Sequence, residues 1–173
     1  MEKKIPWGVW WESNLVGYRA VATTFSFEVV FLLPFTCAFG YFSLGWLYYE
    51  QWTSGQFLLG RSLFGLPFLF GTCMVGWQAL MRLGGRVVVN SDGDEVSVFE
   101  GVGPIGRTKR FRWSEVEQIK EGLLSDYTST KTRTPAIRVT FRDQKRPVLK
   151  FGSMLSDKRL KFLVAEMQER LGR

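Results

Sequence analysis

The residues with the clearest chemical potential form a cluster of cations in the C-terminal half of the chain. Four basic side chains fall within six consecutive positions: Arg107, Lys109, Arg110 and Arg112. Beside a membrane such a cluster can bind anionic lipid headgroups, with each cation contributing on the order of 1 kcal/mol, or it can contact a partner protein. The alternative is that these cations form a solvated strand face with no ligand. They would then only reflect the excess of Lys and Arg in cytoplasmic segments. Both interpretations stay open.

A glycine motif precedes this cluster. Gly101, Gly103 and Gly106 have the G-x-G-x-x-G spacing of dinucleotide-binding loops, which require a following helix whose N-terminal amides face the pyrophosphate. The next residues, 107–113, alternate in polarity and therefore predict a strand. We expect a hairpin loop here that binds no nucleotide.

The composition excludes several catalytic classes. The chain has 173 residues and no histidine, so Ser-His-Asp and Cys-His arrangements and histidine metal sites are excluded. No pair of carboxylates stands out as a general acid and base. Cys37 and Cys73 lie in apolar runs, where cysteine usually behaves as a small apolar residue; a redox pair is the alternative. We predict a non-enzymatic protein without a cofactor or a metal.

Two uncharged runs predict a pair of membrane-spanning helices. Residues 29–49 and 62–81 contain no charged side chain, and about 20 apolar residues span the hydrocarbon layer as a helix. Polar residues within the runs are few, which argues against a transporter or a membrane enzyme. Each run carries two small residues four positions apart, as in closely packed membrane helices: Thr36 with Gly40, and Thr72 with Gly76. These pairs serve packing within the hairpin, packing in a dimer, or no role.

The net charge of +7 lies entirely after the second run. From residue 82 onward there are 19 basic and 12 acidic residues, whereas residues 1–28 and the loop between the runs are balanced. Lys and Arg concentrate on the cytoplasmic side of bilayers. We therefore predict two crossings, no cleaved signal peptide, both termini in the cytoplasm, and only the loop from Glu50 to Arg61 on the other side.

These patterns divide the chain into three segments. Residues 1–24 contain Trp7, Trp10 and Trp11; since tryptophan favours the headgroup level, they predict a short interfacial helix, with a partner-binding peptide as the alternative. Residues 25–81 form the helical hairpin. Residues 82–173 form a cytoplasmic domain that only a four-residue connection separates from the second span.

The cytoplasmic domain reads as short antiparallel strands followed by a helix. The clearest strand places Ile137, Val139 and Phe141 in the core and exposes the alternate residues, which are Arg138, Thr140 and Arg142. The Asp-Gly step at Asp92 predicts a tight hairpin, and residues 125–135 predict a mobile loop. Ser156 is the predicted cap of a helix with one apolar face: Leu160, Leu163, Val164, Met167 and Leu171.

Residues 87–119 carry a resemblance to bacterial pleckstrin-homology-like (PH-like) membrane proteins with an N-terminal two-helix hairpin. The shared features are a short strand, the Asp-Gly turn, a second strand, a glycine loop, a basic strand and the sequence W-S-E-V-E-Q-I; Phe151-Gly152 and the final helix are similar to the closing helix of that family. The resemblance implies a small antiparallel barrel capped by a C-terminal helix, used for binding lipids or proteins. It also implies location in the bacterial cytoplasmic membrane.

A second similarity is to the photosystem I assembly factor family of chloroplasts and cyanobacteria. The stretch 96–110, with V-x-V-F, a glycine/proline turn and a basic strand, resembles the corresponding region of that family, which also has two N-terminal spans.

The sequence thus predicts a membrane helical hairpin that tethers an α+β domain of PH-like type. Its expected function is a non-enzymatic scaffold or adaptor that organises membrane lipids or membrane proteins; the alternative is an assembly factor or accessory subunit of a larger membrane complex. The expected partners are anionic lipids, other membrane proteins and further copies of the chain. Nucleic acid is not expected, because the aromatic residues among the cations are few and face the core.

Overall fold

The computed structural model describes residues 5–13, 17–56, 58–124 and 134–172. The chain falls into two compact units, of which one is Ser26–Leu83 and the other combines Met1–Phe25 with Gly84–Arg173. The fold is α+β, with two long apolar helices and antiparallel sheets. The predicted fold class is confirmed at this level.

Two helices of 26 residues make up the first unit. The first helix has an α-helical part, Val29–Gly40 (α1), a π-helical part, Tyr41–Tyr49, and a final α-helical part, Glu50–Ser54 (α2). The second helix is Leu59–Gly84 (α3). Both predicted runs are therefore helical, and each helix is longer than its uncharged run.

Small residues of the two helices interlock. An ideal Cβ on Gly40 would lie 3.6 Å from Thr72 Cγ2, and one on Gly76 would lie 3.4 Å from Thr36 Cγ2. Each threonine hydroxyl donates to a carbonyl one turn earlier on its own helix, at 2.7 and 2.8 Å. The methyl groups therefore face the glycines of the other helix, and Thr72 Oγ1 also lies 3.4 Å from Ser43 Oγ. Of the three alternatives, the structure supports packing within the hairpin.

Ion pairs join the two helices at both ends of the hairpin. Arg82 pairs with Glu28 at 3.1 Å, and Arg61 pairs with Glu50. Between these two pairs the helices carry only uncharged side chains. The charged groups are thus neutralised at the two ends and absent between them.

A polar network that the sequence analysis missed lies near Glu50. The buried Gln51 accepts a hydrogen bond from Ser62 Oγ at 2.9 Å and donates one to the Leu47 carbonyl at 2.7 Å. Tyr48 donates to the Ser62 carbonyl at 2.8 Å. Because these groups satisfy one another, they hold the helices together.

The second unit contains two antiparallel sheets and one helix. The five-stranded sheet has the order β1-β2-β3-β4-β5, with strands Val9–Ser13 (β1), Gly17–Thr23 (β2), Gly85–Asp92 (β3), Glu95–Val102 (β4) and Ile105–Arg112 (β5). The three-stranded sheet has the order β6-β7-β8, with strands Val116–Leu123 (β6), Pro135–Phe141 (β7) and Leu149–Phe151 (β8). The helix is Asp157–Leu171 (α4).

The N-terminal segment is a β-hairpin, so the predicted interfacial helix is wrong. β1 pairs with β2, and β2 pairs with β3 from Gly17 opposite Asp92 to Thr23 opposite Arg86. Every second residue of β2 is buried, namely Tyr18, Ala20 and Ala22. A strand puts such residues on one face, whereas a helix would distribute them around its axis. The whole helical unit is therefore an insertion between two neighbouring strands of one sheet.

The predicted core of the second unit is largely confirmed. Ile137, Val139 and Phe141 are buried on β7, in the same cluster as two valines each of β3 and β4: Val87, Val89, Val96 and Val98. Of their neighbours only Arg142 is exposed, whereas Arg138 and Thr140 are half-buried. The reason is that β7 lies between β6 and β8, whose side chains cover both of its faces in part.

The two sheets share no strand pairing among the described residues, so the structure does not support a closed barrel. Side chains bridge the open side instead. Lys109 Nζ donates to the Lys150 carbonyl, and the Gly152 amide donates to Glu100 Oε1 at 3.3 Å. Burial raises the pKa of the Glu100 carboxyl, while the Gly152 hydrogen bond and the Lys109 charge oppose that shift.

The closing helix begins after Ser156 as predicted, although the serine hydroxyl makes no capping hydrogen bond. Its predicted apolar face is buried at Leu160, Leu163, Val164 and Met167, and α4 packs against β2, β6 and β7. Most of the predicted loop at 125–135 lies outside the described residues, and Pro135 begins β7.

Candidate interaction surface

β5 carries all four predicted site residues and separates them onto two faces. Arg110 and Arg112 are exposed on the outer face, whereas Arg107 and Lys109 share the inner face with the buried Phe111. The period of two in a strand causes this separation. The predicted arrangement, with both arginines opposite Phe111, is confirmed, but the four cations do not form a single cluster.

The two inner cations have contacts within their own unit. Lys109 donates to the Lys150 carbonyl, and Arg107 faces Glu100 in the register of β4 and β5. Arg110 and Arg112 remain as the candidates for a ligand on the outer face of the sheet.

A polar row crosses the outer face of the five-stranded sheet through Arg110. The register places one residue of each strand in it: Glu12, Arg19, Asn90, Ser97 and Arg110. Neighbouring strands lie about 4.8 Å apart, so the row is roughly 19 Å long. It is a continuous polar strip that the chain assembles from residues almost 100 positions apart.

This strip lies in a concave surface that encloses about 1440 Å³. One side of it is formed by Arg112, which faces Glu95 in the strand register. The other charged residues include Arg146, which pairs with Glu115 and whose guanidinium carbon lies 4.7 Å from the centre of the Phe141 ring. The ion pair and the aromatic contact hold Arg146 at the edge of the surface.

Hydrogen bonds fix the charge of two carboxylates near this surface. Ser114 donates to Asp94 from its amide at 2.9 Å and from its hydroxyl at 2.7 Å, which lowers the pKa of Asp94. The hydrogen bond from Arg146 lowers the pKa of Glu115 in the same way. Both groups are ionised at neutral pH and serve as fixed negative charges.

The concave surface carries as many negative as positive side chains. Its lining contains four arginines and four carboxylates, namely Arg19, Arg110, Arg112 and Arg146 with Glu12, Asp92, Glu95 and Glu115. A balanced surface lacks the long-range attraction that a purely cationic patch exerts on anionic lipid. It suits a protein whose charge pattern is complementary, because such patterns determine specificity. Arg110 faces the neutral Ser97 and not a carboxylate, so it is the first candidate among these arginines for contact with a partner.

The glycine motif has a structural explanation. β4 and β5 meet at the turn Gly103-Pro104, where Gly103 has φ +55°. Gly101 and Gly106 face each other across the strands, and the Phe99 ring covers both, since an ideal Cβ on either would lie within 3 Å of it. A strand, not a helix, follows the motif, as predicted. The geometry lacks the helix N-terminus that a dinucleotide requires.

No group of three or more metal-ligating side chains lies together in the described part of the chain. Both cysteines are free thiols exposed on their helices. Neither observation adds a reactive centre to the concave surface.

The sequence analysis missed the residues that the N-terminal hairpin contributes. Glu12 and Arg19 belong to this surface only because β1 and β2 extend the sheet. The alternation from Tyr18 to Thr23 is the sequence pattern that indicates a strand here. The tryptophans nearby favoured an interfacial helix instead.

The chain matches no protein-family model and no curated protein. The similarities to PH-like proteins and to the photosystem I assembly factor therefore remain predictions from the sequence.

Proposed function

We propose that this protein is a non-enzymatic, membrane-anchored interaction module of PH-like type, whose concave surface binds a partner protein. The observation that carries the proposal is the exposure of the helical hairpin. Both helices are long and apolar enough to cross a membrane, yet only 11% of the most apolar 18-residue window of each is buried. Core helices of soluble proteins bury their apolar face, so a lipid environment is the simplest cover for these.

The charges of the hairpin support this proposal. Arg61 and Arg82 lie 21 residues apart on α3, and at 1.5 Å per residue this distance is roughly 30 Å, the thickness of the hydrocarbon core. Glu28 and Glu50 flank the uncharged run of the first helix. Each of these acids pairs with an arginine of the second helix. Trp46, Tyr49 and Trp52 are exposed near the second ion pair, as in the aromatic belts of membrane proteins.

The strand pairing supports an even number of crossings. β1 and β2 precede the helical unit, β3 follows it, and all three belong to one sheet. If the helices span a bilayer, both ends of the chain must lie on the same side, and the charge distribution favours the cytoplasm.

Two measurements on the full-length protein test the proposal. The protein should remain with the membrane fraction after alkaline carbonate extraction; release into the soluble fraction would contradict the anchor. A photo-reactive residue in place of Arg110 should then form one discrete adduct in native membranes, because Arg110 is exposed and lines the concave surface.

The matched control is the same photo-reactive residue in place of Lys120. This exposed cation lies on β6, in the other sheet. Equal adducts at both positions, or none at Arg110, would contradict a specific partner site on the concave surface.

An accessory subunit or assembly factor of a membrane complex is the second candidate. The charge balance of the concave surface favours it, because this surface suits a protein better than a lipid. A stoichiometric complex after gentle solubilisation would favour an accessory subunit, whereas an adduct without a stable complex would favour a transient scaffold or assembly role.

A further inference from the structure

One end of the five-stranded sheet carries both connections to the helical unit. Its last row contains Gly85, Val102 and Ile105, which face one another across β3, β4 and β5. Thr24 joins this row through its amide, which donates to the Gly85 carbonyl at 2.9 Å. The chain leaves towards α1 directly after Phe25 and returns where α3 ends at Gly84 and β3 begins at Gly85. There is no linker at the second connection.

Three large apolar side chains are exposed at this end, whereas Trp10, Trp11 and Leu124 are exposed elsewhere in the described part of this unit. Ile5 is 52% exposed, Trp7 75% and Ile105 65%, and Pro104 in the β4–β5 turn is also exposed. Contact with water costs about 25 cal/mol for each Å² of exposed apolar surface. Together with Pro104, these three residues constitute what we name the rim.

A buried arginine holds the rim in place. Arg159 of α4 donates to the carbonyls of Trp7 at 3.0 Å, Thr23 at 2.7 Å and Phe25 at 2.9 Å. Its guanidinium also lies over the Trp7 ring, 5.4 Å from the centroid, and the ring contacts Phe25 edge to face. These contacts order the Trp7 side chain although it is exposed. Its burial in a lipid headgroup region would therefore cost little further conformational entropy.

Cations flank the rim and are separated from the candidate protein site. Arg86 follows Gly85 and Arg107 lies two residues from Ile105, and both are exposed. Arg112 lies seven residues from Ile105 along β5, about 23 Å at 3.3 Å per residue. The concave surface thus occupies the opposite end of the sheet.

We propose that the rim inserts into the headgroup region of the same bilayer that the helices span, with Arg86 and Arg107 at the level of the phosphates. This proposal rests on the membrane anchoring proposed above. The continuity of the rim with both helices selects a bilayer as its cover, because each connection brings the chain to the membrane surface within a few residues. Tryptophan with flanking arginine is the usual composition of such interfaces. Docking of the rim leaves the concave surface facing away from the bilayer, accessible to a protein.

Fluorescence quenching in lipid nanodiscs tests the rim. The full-length protein, with Cys37→Ser and Cys73→Ser, carries one environment-sensitive label at a time: at Pro104→Cys in the rim, at Glu95→Cys at the far end of the sheet, or at Leu63→Cys on α3. The nanodiscs contain phosphatidylcholine and phosphatidylglycerol, and the quencher is a spin label on the lipid chain near the headgroup. We expect quenching at positions 63 and 104 and none at position 95.

Each other outcome has a definite meaning. If position 63 is quenched and position 104 is not, the rim proposal is overturned while the membrane anchor stands. If position 63 is not quenched, the anchor fails and the rim proposal fails with it. Equal quenching at positions 95 and 104 would also overturn the rim. A further variant, Ile105→Ser, should reduce quenching at position 104, whereas Leu124→Ser, which removes an exposed leucine outside the rim, should not; equal effects would contradict the role of Ile105.

Discussion

Arg159 is the side chain that connects the C-terminal helix to the N-terminal hairpin. It is 6% exposed and supplies donors to three backbone carbonyls that lie more than 130 positions away in the sequence. A buried acceptor that loses its donor costs about 1–3 kcal/mol, and Arg159 donates to three such carbonyls. Helical periodicity alone places Arg159 next to Leu160 without indicating that it is buried.

We therefore predict that Arg159→Met lowers the free energy of unfolding by roughly 3 kcal/mol or more, measured by denaturant titration of the detergent-solubilised full-length protein. Lys158→Met, at the neighbouring exposed position, should change it by less than about 0.5 kcal/mol. Similar losses in the two variants would contradict the structural role of the three hydrogen bonds.

Glu100 makes the stability of the second unit depend on pH. Burial raises its pKa in the folded protein above the ordinary value of 4.5. A carboxyl with a raised folded-state pKa contributes stability below its unfolded pKa and loses that contribution as the pH rises through the folded value. Glu100→Gln keeps an acceptor for the Gly152 amide and removes this ionisation.

The expected result is that Glu100→Gln gains stability relative to the wild type as the pH rises from 4 to 7, in paired denaturant titrations. At the acidic end the two proteins should be closest, because the wild-type carboxyl is then protonated. A difference that stays constant over the whole pH range would show that ionisation of Glu100 does not contribute.

At the scale of elements, the helical hairpin depends on two glycine–threonine contacts. Gly76 lies against Thr36 of the other helix, whereas an ideal Cβ on Gly71 of the same helix would meet nothing within 4 Å. The two glycines therefore form a matched pair, one at the helix contact and one outside it.

We predict that Gly76→Leu destabilises the hairpin by about 1–3 kcal/mol, the usual cost of overpacking, and that Gly71→Leu has little effect. Unfolding in a titration from mild detergent to sodium dodecyl sulfate, followed by tryptophan fluorescence, measures both. Equal shifts of the two midpoints would mean that the close helix approach is not what stabilises the hairpin.

The five-stranded sheet depends on the strands that precede the helical insertion. β2 supplies Tyr18, Ala20 and Ala22 to the core of a unit whose strands after the helical insertion begin at Gly85. A fragment of residues 82–173 would lack these residues and would expose the edge of β3. Experiments on this sheet therefore require the whole chain.

At the scale of the whole molecule, the insertion of two helices between paired strands constrains topology. Reporter fusions at the C-terminus and within residues 53–55, where the first helix ends, should report opposite compartments, and a fusion at the N-terminus should agree with the C-terminal one. Disagreement between the two termini would be incompatible with a sheet built from β2 and β3 together with two membrane-spanning helices. If both termini lie together on the side opposite to the cytoplasm, only the orientation predicted from the charge distribution is wrong.

The sequence by itself determined the features that depend on local periodicity and composition. The two helices follow from uncharged runs, β7 and its core residues from alternation, the β4–β5 hairpin from the glycine spacing and the basic strand after it, and α4 from its apolar face. Each is a statement about residues within one element, where side-chain direction follows from a period of 3.6 or 2. The candidate arginines Arg110 and Arg112 were assigned to the correct face for the same reason.

Only the tertiary structure decided which elements belong together. Trp7 and its neighbours satisfy the composition of an interfacial helix, but β1 pairs with β2, and β2 pairs with β3. The second pairing is a contact across more than 60 residues that no local pattern encodes. The same pairing brings Glu12 and Arg19 beside Arg110 and turns a cationic strand into a charge-balanced surface. Long-range strand pairing depends on the sum of many weak contacts between distant segments, so its partners emerge only from the packed fold.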